Sequence, residues 1–231
     1  VEEVNDHTRE GPAGWAGRGR RVEDHQAVPA AERDLTALGH APLQLRPRRG
    51  EALGVDGTLG WFEAAASEWG HHAEAVQEAL AIPVARAQKS LARVRESLEG
   101  RSVHFLPDSQ LEIPLARFLR DECGMSLTEV ATPYLDQTLM ADELRRLGSG
   151  VSLVEGSDLD SALARVREHR PDLTVCGMGI ANPLEAEGFR TKWSIELIFT
   201  PIQGFDQVAD LAGLFARPLV RERQLEVGSW S

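Results

Sequence analysis

A doubly wound (Rossmann-like) α/β fold, a parallel sheet with flanking helices, is the fold class that this sequence predicts, and three observations predict it. Short apolar runs recur at Val103–Leu106, Leu127–Ala131, Val151–Val154 and Leu173–Cys176, each within strand length and each bounded by Gly, Pro or polar residues. Amphipathic segments of helical period separate the runs. Strands alternating with helices of about ten to fifteen residues imply βαβ units, whose right-handed crossovers build a parallel sheet between two helical layers. A glycine turn, Gly177-Met178-Gly179, follows the last run, at the kind of strand end where ligands collect in open α/β sheets.

Taken in order, residues 1–50 carry Gly, Pro, Arg and acidic residues with few aliphatic side chains, and are expected to be disordered. Only Leu35 to Leu45 shows a weak apolar pattern, interrupted by Pro42. Residues 51–100 read as helical. Asp56 is placed to cap a helix with Phe62, Ala66 and Trp69 on its inner face and Gly70 as its stop. Val84, Ala87, Leu91, Val94 and Leu98 then form the core stripe of a second helix. From 101 to 220 the α/β pattern takes over. Pro107 to Ile113 reads as a loop, Pro114 fits a first helical turn, and Leu115, Phe118 and Leu119 mark its buried face before Gly124. Thr138 to Leu147 is the next helix. Ser157 is placed as a cap, with Asp160 at the third helical position and Leu159, Ala162, Leu163 and Val166 as the stripe. Ile180 to Gly188 reads as a loop, and Lys192 to Phe199 as a helix covered on all sides. Phe205, Val208, Ala209, Ala212 and Phe215 make a closing helix that Pro218 stops, leaving a polar tail over 221–231.

Composition narrows the partners. A formal charge of −11 over 231 residues argues against nucleic acid, and the one dense basic cluster, Arg46 to Arg49, reads as a solvated loop. No apolar run has membrane-spanning length and no secretory pattern opens the chain, so a cytoplasmic setting is expected. Cys123 and Cys176 are too far apart in sequence for a CxxC metal pair.

Gly177 to Asn182 is close to a GxGxxG fingerprint, with Glu196 about where a ribose-binding acid would fall. A dinucleotide turn follows the first strand of its unit, whereas this one follows the fourth, so a tight packing turn or a pocket-lining loop explains it better. Asp108 and Ser109 read as helix caps beside Glu112, and Glu185 and Glu187 as solvated loop charges. His71 and His72 read as exposed, no histidine follows His169, and Cys176 reads as a small core residue.

The stretches FLPDSQLEIPLARFLRDECGM, EVATPYL, RPDLTVCGMGIANPLEAEG and TKWSIELIFTPIQGFDQVADLAGLFARPL, preceded by VDGTLGWFEAAASEWG, resemble the carboxyl-terminal part of the N-subunit family of light-independent (dark-operative) protochlorophyllide reductase. That family lies in the nitrogenase component 1 superfamily. Pro201 to Asp206 is similar to a Pro-x-His-Gly-Tyr-Asp segment of the nitrogenase alpha chain, without its histidine. The resemblance implies an N2B2 heterotetramer, in which two N-type and two B-type chains assemble, fed by an ATP-hydrolysing iron-sulfur protein of the L type. Electrons pass through a [4Fe-4S] cluster to the ring D double bond of protochlorophyllide. It also implies that the cluster cysteines belong to an amino-terminal domain not seen in this sequence, so that no metal ligand is expected here. The chain then reads as truncated and inactive alone. Met178, Gly179, Ile180, Pro183 and Trp193 are the residues expected to face the tetrapyrrole. Two other classes stay open: a non-catalytic binding or assembly module, and an NAD(P)-binding enzyme. A sister complex that reduces chlorophyllide would match these stretches less closely.

Overall fold

The computed structural model describes residues 51–225. The expectations for residues 1–50, including Arg46 to Arg49, and for 226–231 lie outside the described residues. Helices α1 (Gly54–Glu68) and α2 (Ala73–Arg95) come first. Then β1 (Ser102–Phe105), α3 (Glu112–Arg117), a π-helical turn (Phe118–Glu122), β2 (Ser126–Thr132), α4 (Ala141–Leu147), β3 (Leu153–Glu155), α5 (Leu159–His169) and β4 (Leu173–Cys176) alternate. The chain continues through α6 (Met178–Ala186), β5 (Thr191–Trp193), two 3₁₀ turns (Ser194–Ile198 and Phe205–Gln207) and α7 (Val208–Leu225).

All strand pairs are parallel, in the order β3-β2-β1-β4-β5. This is the doubly wound arrangement that the alternation predicts. Strand alternation divides the core in two. Val103 and Phe105 of β1 and Leu173 and Val175 of β4 face a large cluster with Leu53, Ala87, Leu91, Phe118, Leu211 and Phe215. Leu106 and Cys176 face a smaller cluster with Ala162, Val166, Ala181, Leu184 and Phe189, supplied largely by α5 and α6. Strands β1 and β4 are buried on both faces and so read as short, mainly apolar runs, in which His104 and Thr174 are buried polar residues.

Several elements differ from the sequence reading, for physical reasons. Ile180 to Gly188 is not a loop. Gly179 and Asn182-Pro183 are breaker signals, but Ala181 and Leu184, three apart, bury completely in the smaller cluster and hold α6 together. Lys192 to Phe199 is not a covered helix. Thr191–Trp193 adds a fifth strand, with Thr174 opposite Thr191 and Cys176 opposite Trp193, and the 3₁₀ turn after it leaves Ile195 and Phe199 exposed. Ladder hydrogen bonds to β4 outweigh the weak pattern of so short a segment.

Helix α1 packs by its amino end. Gly54, Val55, Gly57, Thr58 and Gly60 are buried, Trp69 is 78% exposed, and Phe62 stacks on Phe205 at 6.1 Å between ring centroids. Leu53, not Asp56, is its N-cap. The cap of α5 is Asp158, whose carboxylate accepts from Ser161 N–H at 2.9 Å, one residue later than the predicted Ser157. Pro218 lies inside α7, which runs on past Arg221 because Leu219 is still buried beyond it.

Candidate functional site

Strand order reverses between β1 and β4, so the crevice of the sheet opens where Leu106-Pro107-Asp108 leaves one strand and Gly177 leaves the other. Asp108 occupies this crevice. A Cβ on Gly177 would lie 2.5 Å from Asp108 Oδ1, so any larger residue there has to displace the Asp108 carboxylate. Asp108 Oδ2 accepts a hydrogen bond from the Ser194 hydroxyl, which also sits 3.2 Å from the Cys176 carbonyl oxygen. Asp108 therefore ties the ends of β1, β4 and β5 together and caps no helix.

Below it, buried Glu112 turns back into the loop. Its carboxylate accepts N–H bonds from Asp108, Ser109 and Gln110 at 3.0, 2.5 and 2.8 Å, and the Thr132 hydroxyl bonds it at 3.2 Å. Three converging backbone donors form the kind of nest that binds phosphate. Here the nest already holds the chain's own carboxylate. This loop cannot cradle a dinucleotide, and nothing in the order of residues marked Glu112 as inward-facing.

The structure separates the five residues expected to face a ligand. Met178, Gly179, Ile180 and Pro183 all lie on α6. Met178 is 53% exposed, Gly179 and Pro183 are exposed, and no atom outside the local chain comes within 4 Å of a Cβ built on Gly179. Ile180 is half-buried and, like Trp193, packs against the smaller core cluster. Of the five, Trp193 lines a groove of about 590 Å³ beside the edge strand β5 whose walls include Phe189, Leu214, Arg217 and Pro218. Glu185 at this groove is not a free loop charge, because Thr191 Oγ1 donates to it. Buried Lys192 pairs with Glu196. Glu187 lies outside the groove and pairs with Arg167 at 2.7 Å.

Two further polar groups lie inside the molecule. His104, fully buried, bonds Thr128 Oγ1 through Nδ1 at 3.0 Å, and its Nε2 stands 3.6 Å from Glu129 Oε1. Burial, His169 and Arg165 push its pKa down to about 3, so the ring is neutral. Its place in an apolar strand run concealed it. Glu122 accepts from Val55 N–H at 2.6 Å and from Arg117 at 3.2 Å, yet burial pushes its pKa up to about 7. His71 and His72 are exposed, as the sequence indicates.

Both cysteines are buried, and burial raises both thiols, with Glu122 adding to the effect at Cys123 and Asp108 and Glu185 at Cys176, the latter reaching about 12. Among the described residues no three His, Cys, Asp or Glu side chains converge as a metal site requires. An iron-sulfur cluster therefore does not fit the residues described. No helix among the described residues is long and apolar enough to cross a membrane.

Proteins of known kind share this fold. The family model of nitrogenase component 1 type oxidoreductases matches residues 48–219, and the chain belongs to that family. Among curated relatives, the light-independent protochlorophyllide reductase subunit N of Halorhodospira halophila (strain DSM 244 / SL1) is 51% identical over 222 residues, covering 88% of this chain and 52% of the relative. The protein of the same name from Bradyrhizobium sp. (strain ORS 278) is 58% identical over 175 residues, covering 76% of this chain and 41% of the relative. The chain thus spans about half the length, or less, of these relatives. A solved structure titled "Nitrogenase Cp1 at pH 6.5" superposes with a TM-score of 0.60 at 13% identity, over 78% of this chain and 45% of that one, a likeness of fold.

Proposed function

We propose that this chain is the carboxyl-terminal α/β part of an N-type subunit of light-independent protochlorophyllide reductase. In this reading it joins a B-type chain and supplies one wall of the cavity in which the ring D double bond of protochlorophyllide is reduced. The supporting observation is identity of 51–58% to relatives bearing that name over three quarters or more of the chain. The groove beside Trp193 agrees with it, since a flat apolar macrocycle is held by aromatic and aliphatic walls with a few polar groups at the rim. In such a complex an ATP-hydrolysing iron-sulfur partner and a [4Fe-4S] cluster would supply the electrons, and among the described residues no three His, Cys, Asp or Glu side chains converge to hold that cluster. The chain's own contribution is binding and exclusion of water, and alone it reduces no pigment.

The test is co-expression with a B-type chain, followed by purification and titration with protochlorophyllide. The expected result is co-purification of the two chains and pigment binding that Trp193→Ala weakens about tenfold, as for a buried aromatic anchor. Failure to co-purify, or pigment binding indifferent to Trp193, overturns the reading. Stable pairing without any pigment binding favours an assembly module instead.

A further inference from the structure

The groove at β5 has a chemical polarity that the proposed function does not by itself require. Its apolar lining is Phe189, Trp193, Leu214 and Pro218, and Phe189 is itself covered by the Arg170 guanidinium at 4.9 Å. Its charges are largely committed. Lys192 is paired with Glu196, Glu185 takes the Thr191 hydroxyl, and Arg190 has a partner of its own. Arg217 is the exception. It lines the groove from α7, exposed, and makes no hydrogen bond or ion pair among the described residues. In a chain of formal charge −11, whose other sheet-domain arginines include Arg117, Arg120, Arg165 and Arg167 all bound to carboxylates, an uncommitted guanidinium lining the same groove as an indole is a site for an anion.

We propose that this groove binds a flat aromatic acid, its ring system against Trp193 and its carboxylate on the Arg217 guanidinium. The inference rests on the tetrapyrrole reading and deepens it: Arg217 selects the free-acid form of the pigment over its ester and fixes which edge of the macrocycle enters first. A volume of about 590 Å³ suits a ligand of that size. Because Arg217 is exposed and holds no other group in place, replacing it leaves the fold intact.

The experiment titrates the full chain with protochlorophyllide and with its methyl ester, following the pigment's absorbance. The wild type is expected to bind the acid roughly tenfold or more tighter than the ester, the scale of a hydrogen bond to a charged group. Arg217→Gln should weaken the acid alone and erase the difference, Arg217→Lys should keep part of it, and Trp193→Ala should weaken acid and ester together. Equal binding of acid and ester by the wild type, or equal weakening of both by Arg217→Gln, overturns the role of Arg217. Absence of binding of either compound overturns the groove as a site. Loss of the acid–ester difference while Trp193→Ala still weakens pigment binding overturns the role of Arg217 and leaves the proposed function standing, whereas failure to co-purify with a B-type chain overturns the proposed function.

Discussion

The two glycines of the turn after β4 look equivalent in sequence, and the structure makes them opposites. Gly177 has Asp108 Oδ1 2.5 Å from where a Cβ would stand, whereas Gly179 has open space and sits in the first turn of α6. Gly177→Ala must displace the Asp108 carboxylate from Ser194 and uncouple the ends of three strands, at a cost of about 1–3 kcal/mol. Gly179→Ala is expected to be neutral or to stabilise by up to ~1 kcal/mol, since alanine loses less entropy in a helix. Urea denaturation of the two variants checks this, and equal effects would refute the assignment. That the Gly-Met-Gly stretch mattered was legible from residue type. Which glycine mattered was not, because the deciding atom belongs to Asp108, sixty-nine positions away in the chain.

At the scale of elements, α1 is attached by a polar bolt and not by the face its periodicity advertises. Gly54 has φ +75°, and a Cβ there would run into Glu122 Oε1 and lie 2.5 Å from Phe118. Glu122 holds the Val55 N–H, and Arg117 spans Glu122, Glu143 and the Leu53 carbonyl oxygen at 3.2, 2.7 and 2.9 Å. Gly54→Ala is therefore expected to destabilise by roughly 2 kcal/mol or more, from a strained left-handed backbone and a steric clash together. Hydrogen exchange should show the loss first in α1. If α1 amides keep their protection while the sheet loses its own, the bolt is not what holds the helix. The stripe of α2 is buried where its spacing predicts at Ala87 and Leu91, and Leu98, just past the end of the helix, is buried with them. The stripe that spacing predicts for α1 is not its inner face, because Trp69 is 78% exposed and Phe62, although stacked on Phe205, stays partly exposed while the buried residues lie at the amino end.

Two buried groups on different parts of the molecule give it opposing pH responses. The His104 pKa falls from 6.5 to about 3, so the unfolded chain takes up a proton that the folded one refuses. That contribution to stability is complete above pH 6.5 and is lost as pH drops toward 3. The Glu122 pKa rises from 4.5 to about 7, so the folded chain takes up a proton first, and stability grows as pH falls from 7 to 4.5. Between pH 7 and pH 5 each amounts to about 2 kcal/mol, with opposite sign, and the wild type is expected to change little. His104→Gln should gain stability on going from pH 7 to pH 5, and Glu122→Gln should lose it. Unfolding free energies at the two pH values read this directly, and two variants with parallel slopes would dismiss it.

The succession of strands and helices as far as β4, the burial of β4 and the family resemblance were all determined by the sequence alone, because apolar period and turn residues act over a few neighbouring positions. The fifth strand, the helical state of α6, the packing of Gly177 against Asp108, the filling of the β1 loop by Glu112 and the placing of Trp193 and Arg217 on one groove were decided only by tertiary structure. Each depends on a contact between segments that the chain order keeps apart, where a ladder hydrogen bond, a buried pair of apolar side chains or a carboxylate in close approach outweighs local preference.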